Sequence, residues 1–172
     1  MNTLRESAKY ILVLFFCVFV RILPRPPNIE PIMSASMPIS RKFGSYSGFI
    51  FAAFSVVALD FIVGRVGYWT IYTALAYGIV GYAAALWLSR KKEVKGREYA
   101  EFALFATIFY DAVTALAFGI QFGQNLEATI MGQIPFTAYH LLGNIILAYF
   151  VSPLLYKWIV ANPKLELNIT IG

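Results

Sequence analysis

Long apolar runs, broken by short polar or proline-bearing segments, repeat along this chain. Read by length, they predict helices at about 7–23, 31–40, 44–63, 67–88, 97–120 and 128–160. A helix needs roughly 20 apolar residues to cross a hydrocarbon core of ~30 Å. The prolines of LPRPPN end the first helix, because the residue before a proline is pushed out of helical geometry. The second segment is too short to cross unless it is tilted or flanked by structured loop. The sixth is long enough for a lead-in before Pro135 and an extension beyond the membrane.

Polar residues inside these runs are not scattered. Residues three, four and seven apart share a helix face. On the sixth helix Gln133, Thr137, His140 and Asn144 form one stripe, while Leu141, Ile145, Ile146 and Phe150 keep the other faces apolar. On the fifth, Thr107, Asp111, Thr114, Phe118 and Gln121 align. On the fourth, Thr70, Thr73 and Tyr77 align with Trp69 beside them, and Asp60 lies near the end of the third.

Composition agrees with a membrane protein. The 172 residues are 59% hydrophobic and only 13% charged, against about 25% charged in an average soluble domain. The longest polar stretch, Ser89 to Glu98, is only a loop. The single cysteine, Cys17, cannot form an internal disulfide and sits in an apolar run as packing. The N-terminal run is followed by Arg21, Pro24 and Pro26 rather than a small-residue cleavage site, so it reads as a retained helix.

The net charge of +5 is informative through its distribution. With the N-terminus inside, the cytoplasmic side receives Arg5, Lys9, Arg41, Lys42, Arg90, Lys91, Lys92, Lys95, Arg97, Lys157 and Lys164, and the outside only Arg21, Arg25 and Arg65. The positive-inside rule then predicts six spans with both ends in the cytoplasm. The basic residues are topology signals, and no nucleic-acid partner is expected. No internal repeat supports an inverted-repeat transporter.

In that topology the stripes gather at one depth. Trp69, Thr70, Asp60, Gln121 and Gln133 fall near the outer face, with Asp111, His140 and Asn144 somewhat deeper. Unpaired polar groups in hydrocarbon cost several kcal/mol, and intramembrane ionisable residues usually face a bundle interior or a cavity. One pocket open to the outside accounts for them all. The competing reading is hydrogen bonding between helices, with no ligand.

The chain resembles the substrate-binding S component of an energy-coupling factor (ECF) type transporter. The resemblance spans about residues 8 to 160. It rests on PPNIEPIM (26–33), ALDFIVGRVGYWTIYTALAYGIVG (58–81), FYDAVTALAFG (109–119), and GQIPFTAYHLLGN followed by SPLLYKW. It implies an all-α, multi-pass cell-membrane protein of six helices without ATPase activity. Such a protein binds a vitamin or related micronutrient from outside and passes it on with a membrane T subunit and a cytoplasmic ATPase pair. It also implies that LPRPPNIEP passes over the pocket, adding Asn28 and Glu30 to the site. The alanine-x-x-x-alanine docking patch of many relatives is missing from the first helix. Ser34, Ala35 and Ser36 are the substitute docking surface considered; the small residues from Ala74 to Ala85 suit bundle packing.

The expected substrate-binding set is Asn28, Glu30, Asp60, Trp69, Thr70, Asp111, Gln121, Gln133, Thr137, His140 and Asn144, with no cofactor, no metal and no catalytic residue. Aromatics at Trp69, Tyr72, Tyr77, Phe118, Phe136 and Tyr139 suit a flat ring. Glu30, Asp60 and Asp111 favour an amine over a carboxylate, while Arg65 is placed to pair with Asp60 and neutralise both. The guest expected is small, ring-containing, and neutral or cationic. GRVG (64–67) is a tight outer turn. Metal uptake is the weaker alternative, with one histidine and one cysteine far apart. An intramembrane enzyme lacks a zinc or serine-hydrolase motif. A scaffold or sensor without transport is the third.

Overall fold

The structure, a computed structural model, describes residues 6–24 and 29–166. Every regular element among them is helical: α1 (Ser7–Ile22), α2 (Pro31–Phe43), α3 (Ser45–Val63), α4 (Tyr68–Ser89), α5 (Gly96–Gln121) and α6 (Leu126–Leu155). A π-helical turn at Tyr156–Val160 and a 3₁₀ turn at Pro163–Leu165 follow. Arg5, Arg25 and Asn28 lie outside the described residues.

Local chemistry sets the boundaries. Pro31 opens α2 at a position where a missing N–H costs nothing. Gly64 ends α3 in the left-handed region, at φ 69°, where a side chain would be strained. Asn125 caps α6 by accepting from Ala128 N–H at 2.7 Å. The Glu98 carboxylate reaches back to Lys95 N–H at 2.8 Å at the start of α5. Pro135 does not separate a lead-in from the rest of its helix: α6 continues through it. Proline removes one backbone hydrogen bond, which membrane helices tolerate when neighbouring groups satisfy the freed carbonyl.

Among the described residues, four segments are long and apolar enough to cross a membrane: α3, α4, α5, and α6 with its π turn. Their outward faces carry Ile50, Phe54, Phe61, Phe105 and Phe150, all exposed. Soluble proteins rarely expose apolar surface this continuous; lipid accepts it, which marks a membrane-embedded protein. At 16 and 13 residues, α1 and α2 fall short of spanning length.

The short helix α2 occupies the interior. Every residue from Pro31 to Ser40 is buried, and α2 packs on α3, α4 and α6. Its hydroxyls are satisfied within the protein: Ser34 donates to Pro31 O at 2.9 Å, Ser36 to Met33 O at 3.0 Å and Ser40 to Ser36 O at 2.8 Å. Ser34 O accepts from Ser152 on α6 at 2.7 Å. Ser34, Ala35 and Ser36 are therefore not a surface on which a partner could dock, contrary to the expectation from their small size. Small residues between α3 and α4 do pack the bundle: Gly48 and Gly81 bring the two backbones together so closely that neither position has room for a methyl.

One end of the bundle is basic. Arg41 at the end of α2 lies 3.9 Å over the Tyr156 ring and donates to Val94 O and Tyr99 Oη. This draws the α4–α5 loop, with Lys91, Lys92 and Lys95, to the π turn. At the same end Lys9, buried, is held by Glu166 at 3.1 Å and Glu6 at 3.5 Å. The opposite end holds the α1–α2, α3–α4 and α5–α6 connections.

Candidate functional site

Two polar rungs join α5 to α6. The helices run antiparallel, so residues four apart on one meet residues four apart on the other. Asp111 Oδ1 lies 2.7 Å from His140 Nδ1, and Asn144 Nδ2 donates to Thr107 Oγ1 at 2.9 Å. A spacing of four residues, at 1.5 Å rise each, sets the rungs about 6 Å apart. Thr107 Oγ1 also approaches Met33 Sδ on α2 at 3.5 Å. All four polar residues are buried.

Beside the Asp111–His140 rung, toward the connection-bearing end, lies a cavity of about 250 Å³. Tyr77, Tyr110 and Phe136 form its aromatic wall, Val56 and Leu59 an aliphatic one, and Trp69 stands near the mouth. His140 is at its base. The His140 ring is held edge-on by Tyr110 and Phe136, with centroids 5.7 and 5.6 Å away. Tyr77 packs on Tyr110 at 4.3 Å. The mouth is charged. Arg21 in the last turn of α1 pairs with Glu30 before α2, and both line the cavity with Asp60 and Arg65. Thr70 Oγ1 donates to Asp60 Oδ2 at 2.6 Å, and Trp69 Nε1 donates to Arg65 O at 3.0 Å. The α3–α4 turn is thereby fixed to the first turn of α4. No ion pair forms between Asp60 and Arg65, contrary to expectation; Thr70 occupies that carboxylate oxygen instead.

Two buried polar atoms of cavity-lining residues, Tyr77 Oη and His140 Nε2, have no hydrogen-bond partner among the described residues. The same holds for Asp111 Oδ2 and Asn144 Oδ1. A buried polar group left unpaired costs about 1–3 kcal/mol; Tyr77 and His140 line the cavity, whereas Asp111 and Asn144 stand behind it.

The expected site residues divide. Glu30, Asp60, Trp69 and His140 line the cavity, and Asp111 holds His140 from behind. Thr70 supports Asp60 while facing a shallow apolar groove. Gln133 lines a neighbouring recess of about 470 Å³, which shares Trp69, Thr73, Tyr110 and Phe136 with the cavity as a common wall. Thr137 accepts from Gln133 Nε2 at 3.0 Å and lies in a groove between α5 and α6. Asn144 ties helices together and does not reach the cavity. Gln121 is exposed and lines neither space, because the face of α5 turned to α6 there is that of Gly119, against Thr129. Of the aromatics, Tyr139 is 63% exposed and points away. Sequence reasoning missed Arg21, read only as a topology signal, and Tyr110, which lies one residue from Asp111 and so outside the polar stripe.

No protein-family model matches this chain, and no curated protein matches it.

Proposed function

We propose that this protein captures a small, ring-containing micronutrient from the extracellular side of a cell membrane and acts as the S component of an ECF-type transporter. In this reading the chain spans the membrane six times with both ends in the cytoplasm. The basic end, with Arg41, Lys42 and the 89–96 loop, is cytoplasmic by the positive-inside rule. The cavity then opens outward. A membrane T subunit and a cytoplasmic ATPase pair supply the energy, and the chain itself performs no chemistry.

The observation that carries the reading is an aromatic-walled cavity with a charged mouth, set beside the buried Asp111–His140 rung. Its volume is slightly below the ~300 Å³ at which drug-sized ligand pockets begin, which suits one or two rings. A scaffold reading is favoured by the Thr107–Asn144 rung alone, which is sealed between helices. It gives no reason for a charged-mouthed cavity beside the second rung.

Native mass spectrometry and thermal-shift screening of the purified protein against vitamins test the capture step. A bound vitamin should lose affinity in both Asp111→Asn and His140→Ala. Unchanged affinity in the two variants would remove the assigned site. Co-purification with a T subunit and ATPases tests transport; ligand binding without them leaves a sensor.

A further inference from the structure

The recess of about 470 Å³ beside the cavity differs from it in polarity. Five rings reach its walls, those of Trp69, Tyr72, Tyr110, Phe118 and Phe136, and among the described residues no charged side chain lines it. The cavity next to it has Arg21, Glu30, Asp60 and Arg65. The two spaces share Trp69, Thr73, Tyr110 and Phe136 as a common wall, so they adjoin. Ligand pockets span about 300–1,000 Å³. The cavity alone is below that range; cavity and recess together are within it.

The α6 wall of the recess contains a glycine that packing does not require. Thr129, Gly132 and Phe136 all line the recess, and their spacing of three and four puts them on one helix face. A glycine inside a helix is less favourable than alanine, because it loses more backbone freedom on folding. Close approach accounts for other helix glycines here. A methyl at Gly78 would meet the Phe49 ring at 2.8 Å, and one at Gly119 the Thr129 hydroxyl at 2.5 Å. At Gly132 a methyl would meet nothing within 4 Å, and the residue lies within α6 with no positive φ. Neither a neighbouring backbone nor a turn asks for glycine there. What its missing side chain provides is room, on the face turned to the recess.

We propose that the recess is the second chamber of the same binding site, and that the captured guest has two parts joined by a short linker: a polar head in the charged-mouthed cavity and an uncharged ring in the recess. This rests on the capture reading above and names the shape and polarity of its guest. A ring in the recess meets aromatic faces. A charged group there would lose hydration with no opposite charge to meet it.

Saturation-transfer NMR on the detergent-solubilised protein tests this with three probes. Nicotinamide has one ring. N-benzylnicotinamide adds an uncharged ring through a one-carbon link, and N-(4-carboxybenzyl)nicotinamide puts a carboxylate on that added ring. N-benzylnicotinamide should bind at least about tenfold tighter than nicotinamide, as burial of one aromatic ring allows, and the carboxylate should abolish the gain. Gly132→Phe should fill the recess and remove the same factor of about ten from N-benzylnicotinamide. Nicotinamide should stay within about twofold, since Gly132 does not line the cavity. Uptake of a probe by detergent is the same for both proteins and cannot create that difference. Retained nicotinamide binding shows that the variant folds, and the ranking of the probes is read on the unsubstituted protein. Equal affinity for nicotinamide and N-benzylnicotinamide would overturn the second chamber; nicotinamide binding lost in His140→Ala would still leave the capture site standing. A Gly132→Phe protein that weakens both probes alike, or neither, would overturn the assignment of the recess. If no probe binds at millimolar concentration, the two-part guest falls, and the capture reading falls with it only if the vitamin screen is also empty.

Discussion

Replacing Gly81 by alanine should destabilise the bundle, and the structure indicates by how much. A methyl built at Gly81 would lie 2.7 Å from the carbonyl carbon of Gly48, closer still to its oxygen, and 3.1 Å from Ala52 Cβ. Carbon atoms in ordinary contact sit ~3.5–4.0 Å apart, so α3 and α4 must separate by about 1 Å. Backbone, unlike a side chain, cannot turn aside. Two backbone atoms are overlapped at once, so the upper part of the overpacking range, about 2–3 kcal/mol, applies, offset by about 1 kcal/mol of improved helix propensity. The net loss is on the order of 1–2 kcal/mol, which for a chain of this size lowers Tm by roughly 2–8 °C. Gly132→Ala is the internal control. Nothing lies within 4 Å of that position, so the propensity gain stands alone and Tm should rise by roughly 1–4 °C. Thermal unfolding of both variants in one detergent, followed by circular dichroism, measures the contrast. Affinity for a bound guest should fall in Gly81→Ala too, because α4 carries Tyr77 and Thr73 one and two turns from the contact. A Gly81→Ala protein as stable as the parent would refute the close approach of the two helices.

Three further outcomes are expected. Lys9→Met should cost little, since it removes a buried charge together with its need for partners, whereas Glu6→Gln combined with Glu166→Gln strands the lysine and should cost about 3 kcal/mol or more; chemical denaturation ranks them. Asn144→Leu should lower stability by about 0.5–1.5 kcal/mol through loss of its hydrogen bond to Thr107 while leaving the affinity of any cavity ligand within about twofold, measured by Tm and by titration. Lys92→Cys should react with a membrane-impermeant maleimide only after permeabilisation, and Val66→Cys in intact cells. The native Cys17, being buried, stays silent, and the reverse pattern would invert the proposed orientation.

Helices of this protein were readable because two signals coincide: apolar length and polar residues at three- and four-residue spacing. Asp111 and His140 could be placed opposite each other from those stripes. The stripes said less about which polar groups meet a cavity and which meet another helix. Asn144 and His140 share a face, yet one reaches Thr107 and the other the cavity, a distinction set by how α2 packs below them. Gln121 follows the stripe of α5 but faces away, because the approach of α6 shifts to Gly119 at that end. Arg21 was hidden by its own charge: a basic residue after an apolar run reads as a boundary, and only the fold sets it against Glu30. The small residues of α2 look the same whether they meet a partner or the protein's own interior.

The burial of α2 has a consequence for biogenesis. A segment reading PIMSASMPISRKF is too short and too hydroxylated to remain in lipid by itself, and its last lodging partner, Ser152, is synthesised 118 residues after Ser34. Until α6 emerges from the ribosome, this segment has nowhere inside the membrane to settle. The bundle must close around it late, as a shell around a kernel, and a nascent chain cut before α6 should be a prompt target for membrane proteases.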